Sequence, residues 1–457
     1  MEGSSPVSPE RRLTAIPVAL LSLVLLLTAF PAHAQLMSAR RLAMGGVTLG
    51  HGGPGGDAVN VAYRAVPAAT EHGPRSFLLP LGLIPVLQDP PTFDTNDPAF
   101  NAFEIANLAL HPPWNLQLVK PTEPAGDVTL SVGRNALTID LGSVRDVVPD
   151  ERVRFAAAMR SPGIVIGVRR LFVGVTPFVQ VQNDFDLNDA LRGALHDGAT
   201  FLPNTEYALR DRGQAQAAAQ GLLGAAFPLV RSGAPEDRGG FYVGARARLL
   251  RGLAYGDADA QAGFVTPDTL FGNVPMDVRF RGHQRTAQPA GGGWGHGFDA
   301  GAVFVVGALE LGLAANDLGT TIDWKVTETA TNKDSASGDY RTVTIGEDLP
   351  FTSTVPANYV LTAMTRVGGL LLAADMQRDA LEQVSGHAGA EVWAGPLALR
   401  AGAALDAQQR TQFAGGVGLR LGRFGLDIAV ATNQANITHE RAVDLGAGLS
   451  FYPAGSR

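Results

Sequence analysis

The feature that most constrains this chain is a strict alternation of side-chain character in its C-terminal half. From Thr411 to Leu421, Phe413, Val417, Leu419 and Leu421 occupy the odd positions, with Gly415 among them. Gln412, Ala414, Gly416, Gly418 and Arg420 take the even ones. The next run sets Phe424, Leu426, Ile428 and Val430 against Arg423, Gly425, Asp427 and Ala429. A third sets Val443, Leu445, Ala447, Leu449 and Phe451 against Asp444, Gly446, Gly448 and Ser450. A period of two is the signature of a strand with two chemically different faces. Upstream, Leu309–Ala315, Phe241–Leu249 and Leu397–Ala401 repeat it. The strands these runs belong to are read as about 9–11 residues each, the length a tilted strand needs to cross a hydrocarbon layer.

The connections have a rhythm of their own. Gly307-Ala308, Gly368-Gly369, Gly395-Pro396 and Gly422-Arg423 read as tight turns. Longer polar links, Arg378–Ser385, Asp406–Arg410 and Asn433–Glu440, separate them. Short and long connections therefore alternate, as in an outer-membrane barrel with periplasmic turns and external loops. With the C-terminus in the periplasm, all four tight turns fall on that side. The closing aromatics Phe451-Tyr452 fall where an interfacial girdle belongs. The predicted fold class is all-β: a transmembrane, antiparallel, up-and-down barrel of about 14 strands. A soluble β-sandwich alternates in the same way. Against it, the second face is mostly Gly and Ala with scattered charges, and the hairpins repeat over too much chain.

Composition agrees. The 457 residues include 55 glycines, and only 17% are charged. One closed sheet can absorb a chain of this length. The net charge of -7, with no concentrated basic stripe, excludes a nucleic-acid footprint. There is no cysteine, so thiolate nucleophiles, Cys-based zinc sites and disulfides are excluded together.

Arg11 and Arg12 precede an apolar run, Leu13 to Phe30, that ends in Ala32-His33-Ala34. This is the pattern of a secretory signal, with cleavage after Ala34. The expected organisation is a signal peptide at 1–34, an N-terminal plug-like or periplasmic segment at 35–73, and the barrel at 74–457. Within the barrel, Asn188 to His196 reads as a short helix. Asp259 to Val265 reads as an extra strand needed to keep the up-down parity. Gly319 to Pro356, with its polar run Thr327–Ser335, reads as a large surface loop.

The segment Ser38-Ala39-Arg40-Arg41-Leu42-Ala43-Met44-Gly45-Gly46-Val47-Thr48-Leu49-Gly50 resembles the opening of FadL-type outer-membrane transporters and of PorV-like outer-membrane proteins. The blocks Phe241–Tyr255, Gly297–Trp324 and Gly386–Leu405 are similar to PorV-like barrels. An Asn-Pro pair usual in such openings is absent, since Asn60 is followed by Val61. The resemblance implies an N-terminal segment folded inside or under the barrel. It also implies either passive passage of small hydrophobic compounds or, in the PorV-like case, accessory anchoring of exported proteins.

No enzyme motif is present. Phosphate-loop and Gly-x-Ser-x-Gly patterns are missing, and His283, His296 and His387 lack metal-ligand spacing. No cofactor or metal is expected, and the chain is not read as an enzyme. The expected partner is the outer-membrane bilayer, with hydrophobic small molecules or exported proteins beyond it. Ten charges fall on faces opposite the apolar ones: Arg246, Arg248, Glu310, Arg366, Asp375, Glu391, Arg400, Arg420, Asp427 and Asp444. Facing lipid at mid-depth, an Arg or Lys would cost about 2–4 kcal/mol. They are therefore expected to face the lumen, as a structural network or as part of a permeation route. The small Gly and Ala between them are expected to leave room inside.

Overall fold

A computed structural model describes residues 38–50, 59–67, 75–79, 114–117, 129–132, 137–140, 152–160, 164–168, 170–196, 200–233, 237–268, 277–333, 340–378, 382–405, 411–433 and 442–451. The expected signal peptide, residues 51–58 of the N-terminal segment and Tyr452 lie outside the described residues.

The strands are β1 (Arg75–Leu79), β2 (Trp114–Gln117), β3 (Thr129–Val132), β4 (Leu137–Asp140), β5 (Val153–Arg160), β6 (Ile164–Val168) and β7 (Leu171–Leu187). They continue with β8 (Glu206–Arg231), β9 (Gly240–Val265), β10 (Asp277–Ala287), β11 (Gly292–Val306), β12 (Leu309–Lys333) and β13 (Tyr340–Val355). The last are β14 (Asn358–Val367), β15 (Leu370–Arg378), β16 (Val384–Ala394), β17 (Leu397–Leu405), β18 (Thr411–Leu421), β19 (Phe424–Asn433) and β20 (Ala442–Phe451). Two short helices, α1 (Ala39–Ala43) and α2 (Asp189–His196), complete the set with 3-10 turns at Val61–Ala65 and Pro289–Gly291.

All strands but the β3/β4 hairpin join one 18-stranded sheet, and every pairing in it is antiparallel. Among the described residues four positions hold two strands end to end: β1/β2 at an ascending position, and β5/β6, β10/β11 and β13/β14 at descending ones. β10 and β11 both pair with β9, and β13 and β14 both pair with β12. The lateral order is β1/β2, β20, β19, β18, β17, β16, β15, β13/β14, β12, β10/β11, β9, β8, β7, β5/β6, which is fourteen positions. This is the up-and-down barrel wall expected from the alternation.

Two expectations need correction. Asp259–Val265 is no extra strand; it is the upper end of β9, which runs unbroken from Gly240. Parity is kept because β10 and β11 act as one descending strand. Gly319–Pro356 is no loop either. Its polar run, as far as Lys333, is the top of β12, paired with β13 from Thr320↔Val355 to Lys333↔Tyr340. Both faces are polar there because the strand has left the lipid belt. Sequence polarity alone does not separate such an extension from a loop.

The belt is visible in exposure. Leu309, Leu311 and Leu313 are exposed while Glu310 between them is 2% exposed. The same outward row runs through Leu361, Leu372, Val392, Leu399, Val417, Leu426, Ile428 and Leu449. So many apolar side chains on one continuous face require an apolar surrounding. Among the described residues no helix is long and apolar enough to cross a membrane; the crossing is made by strands. Farther up β12, the outward positions become Thr321, Asp323, Lys325, Thr327 and Thr329.

The tight turns fall as expected. Gly307, Gly368, Gly395 and Gly422 have φ of 56°, 61°, 62° and 62°. A positive φ at only the first central residue is the type II′ hairpin turn, which glycine adopts without strain. An added Cβ at Gly422 would meet nothing within 4 Å, so the conformation alone resists substitution. Gly422→Ala should therefore lower barrel stability by about 1–2 kcal/mol in urea unfolding from vesicles. Gly369→Ala, at the second turn position and without a positive φ, should change the urea midpoint little. Equal losses in both would refute this account.

Candidate functional site

The inner face of the wall is occupied by the chain's own N-terminal segment. Ser38 caps α1, its side chain accepting from the Arg41 amide. The helix ends after one turn, because Gly45 and Gly46 adopt φ of 71° and 81°. Arg41 folds back over that end, donating to the Val47 and Gly46 carbonyls at 3.0 and 2.9 Å. Leu42 and Ala43 pack on Ala429 and Ala431 of β19. Farther along, the Asn60 amide donates to the Ala302 and Leu313 carbonyls, both at 3.1 Å. The Tyr63 hydroxyl meets Thr362 of β14 at 3.2 Å, and Arg64 lies over the Phe172 ring of β7 at 4.4 Å. One short stretch thus touches the wall from β19 round to β7. The wall curves around it.

Charged residues anchor this segment. Arg40 holds Glu391 with two bonds, Nε to Oε2 at 2.7 Å and Nη2 to Oε1 at 2.6 Å. Glu391 also receives Arg400 Nε at 2.7 Å and the Trp393 indole at 3.0 Å. Arg400 passes the network on to Asp427 at 2.6 Å, which accepts from Ser450 at 2.7 Å. Asp375 takes the backbone amide of Thr48 and pairs with His387 at 2.7 Å. Glu310 pairs with Arg238 at 2.7 Å. On the opposite wall, Arg246 and Arg248 both hold Asp299, at 2.6 and 3.0 Å, and Arg248 also reaches Asp317 at 2.6 Å.

The ten residues named from sequence divide accordingly. Arg246, Arg248, Glu310, Asp375, Glu391, Arg400, Asp427 and Asp444 are buried on the inner face. Arg366 and Arg420 share its parity but sit at the turn end. There Arg366 is exposed, and Arg420 donates to the Gly422 carbonyl at 3.3 Å. Their strands end before reaching the network. The expectation of free room also needs correction. The inner glycines are contact points: a Cβ on Gly402 would lie 2.1 Å from the Met44 carbonyl carbon, and one on Gly389 2.5 Å from its oxygen.

Other polar residues went unnamed. Asp299 and Asp317 become partners only through the β9–β11–β12 register, which alternation cannot supply. Gln180, Gln216 and Gln220 had a weak signal, since each falls on its strand's polar parity. Above the N-terminal segment, Phe178, Leu250, Tyr255, Ile322, Trp324, Val326 and Val355 form a buried apolar cluster inside the wall. Higher still the inner face carries a charge ladder: Arg154, Asp184, Arg212, Asp259 and His283 are successive cross-strand partners. Neighbours of opposite sign stabilise adjacent strands. The interior is thus layered: anchored segment, apolar cluster, charged mouth. An open concavity of about 560 Å³ over Ala363, Ala374, Ala388 and Ala390 belongs to the outer face instead. Among the described residues, no group of three or more His, Cys, Asp or Glu could hold a metal ion.

No family model matches this chain, and no curated protein does. Solved structures that overlap it include the Ralstonia pickettii toluene transporter TbuX, at 13% identity and TM-score 0.30, covering 67% of this chain and 90% of that one. A Pseudomonas aeruginosa FadL homologue overlaps at 14% identity and TM-score 0.33, covering 65% of this chain and 76% of that one. A Rh. blastica porin mutant overlaps at 10% identity and TM-score 0.23, covering 66% of this chain and 100% of that one. At such values the strand ladder itself, not these overlaps, carries the fold.

Proposed function

We propose that this chain is an exported outer-membrane barrel that passes small, largely apolar molecules, with residues 38–50 and 59–67 in its resident plug. One observation carries the reading: the apolar cluster of Phe178, Leu250, Tyr255, Ile322, Trp324, Val326 and Val355 inside the wall, a lining that solutes would part on entry. A water-filled pore has a polar interior. An apolar cluster between a charged mouth and a plug suits solutes that shed water on entry. The salt-bridged segment below it blocks free diffusion, so passage requires the segment to yield. The resemblance of Ser38–Gly50 to FadL-type openings points the same way.

The test uses the full mature chain in vesicles with a lipopolysaccharide outer leaflet. Entry of an apolar fluorophore should exceed the empty-vesicle rate several-fold, while ion conductance stays near background. Entry no faster than the empty control would reject the proposal. High resting conductance would reject the resident plug.

A further inference from the structure

We infer that the apolar cluster binds neutral molecules that carry one hydrogen-bond acceptor, held by the amide nitrogen of Gln180; the inference rests on the transport reading above. The basis is a chain of hydrogen bonds whose direction is forced. The Trp324 indole N–H can only donate, and it donates to Ser353 Oγ at 2.8 Å. That occupies the serine oxygen as an acceptor. Its own hydrogen then goes to Gln216 Oε1 at 2.6 Å rather than to the Ile322 carbonyl at 3.5 Å. With its oxygen so engaged, Gln216 turns its Nε2 toward Gln180 and donates to Gln180 Oε1. Every amide orientation along the chain is thereby fixed from the tryptophan end. Gln180 Nε2 stands last, a donor with no partner among the described residues.

That nitrogen is deep inside. Gln180 is 1% exposed, and its inward neighbour on β7, Phe178, is fully buried in the apolar cluster. Folded proteins leave few such donors unpaired. Bonds in series polarise one another, so the terminal N–H is a better donor than an isolated amide. Gln216 and Ser353 also bridge β8 and β13, which share no ladder pairing, so the chain crosses the interior beside the apolar cluster. A second amide lower down is left open in the opposite sense: Gln220 Nε2 donates to Thr176 at 2.6 Å, and its Oε1, an acceptor, has no partner among the described residues. The free groups are neutral amides set among apolar side chains. The guanidinium against this cluster, Arg285 over Phe351 at 4.8 Å, is already paired with Asp257, so a carboxylate ligand would be desolvated there without a counter-charge of its own. A ketone, ether or ester oxygen on an aromatic or aliphatic body satisfies the donor at little such cost.

Equilibrium dialysis of the full mature protein in detergent, against protein-free micelles, provides the test. Acetophenone and cumene have nearly the same shape, but only the first has an acceptor. Acetophenone should bind roughly tenfold tighter than cumene, the worth of one buried hydrogen bond. Benzoate should bind no better than cumene. Gln180→Met should bring the acetophenone and cumene affinities together. Should that variant fail to fold, Ser353→Ala, which releases the orientation of Gln216, should narrow the gap instead. Equal affinities for acetophenone and cumene in the unaltered protein would overturn the inference, as would a bound structure with only water at Gln180 Nε2. Apolar uptake without acceptor preference would sink this inference alone; absence of both uptake and binding would also sink the transport reading.

Discussion

Replacing Glu391 by alanine should destabilise the folded barrel by about 3–5 kcal/mol, the cost of leaving buried guanidinium groups without their counter-charge. Glu391 is 1% exposed, and its carboxylate receives Arg40 through two bonds, Arg400 through one and the Trp393 indole through another. Arg400 retains Asp427, so its loss is partial. Arg40 loses its bidentate partner on the wall, and with it the link from α1 to β16. Two consequences separate this from a general loss of packing. Glu391→Gln keeps the shape but loses the charge and turns an N–H end toward N–H donors, so it should still cost more than about 1 kcal/mol, where a loss of packing alone would cost almost nothing. Arg40→Met combined with Glu391→Met should cost less than Glu391→Ala alone, because paired charges are removed together. Urea unfolding from vesicles measures all three. A loss under about 1 kcal/mol for Glu391→Ala, as for exposed ion pairs, would show that water reaches this pair.

The wall was legible in the sequence because a strand's faces are written at fixed spacing. Leu426, Ile428 and Val430 face outward and Asp427 and Ala429 inward, as the period requires. Turn chemistry was legible for a related reason: Gly395 and Gly422 carry their backbone requirement locally. The interior was legible only in part. Alternation places Arg246 inside but does not name Asp299 as its partner, since that depends on pairing between β9 and β11. Likewise it places Glu391 inside but not against Arg40, 351 positions away. The opening segment carried a family resemblance whose physical content appears only in the fold. There Arg40 reaches the wall, Arg41 closes the helix end, and Met44 lies against the wall glycines. The same long-range contacts reverse one expectation outright. Small inner residues leave room, but the plug takes it.

Gly402→Val should expel that plug and open the lumen. A Cβ at Gly402 would fall 2.1 Å from the Met44 carbonyl carbon and 2.3 Å from the Gly45 nitrogen. Both are backbone atoms in a short turn whose next residues need positive φ, so no side-chain rotation relieves the clash. The wall cannot retreat, because β17 is laddered to β16 and β18 along its whole length. The segment is held by side-chain contacts and should move first. Overpacking of this kind costs about 1–3 kcal/mol, which the covalently continuous wall survives and a docked segment does not. Three readouts should shift together: conductance in planar bilayers rises from near background, Arg40 and Arg41 become open to trypsin, and apolar uptake loses its dependence on plug movement. Gly415→Val is the control, one strand over on the outward face, where an added Cβ meets only the Arg400 carbonyl at an ordinary 3.7 Å. It should leave conductance and protease resistance unchanged. Conductance unchanged in Gly402→Val, with the barrel shown to be folded, would mean that the segment repacks in place and that the way through lies elsewhere in the wall.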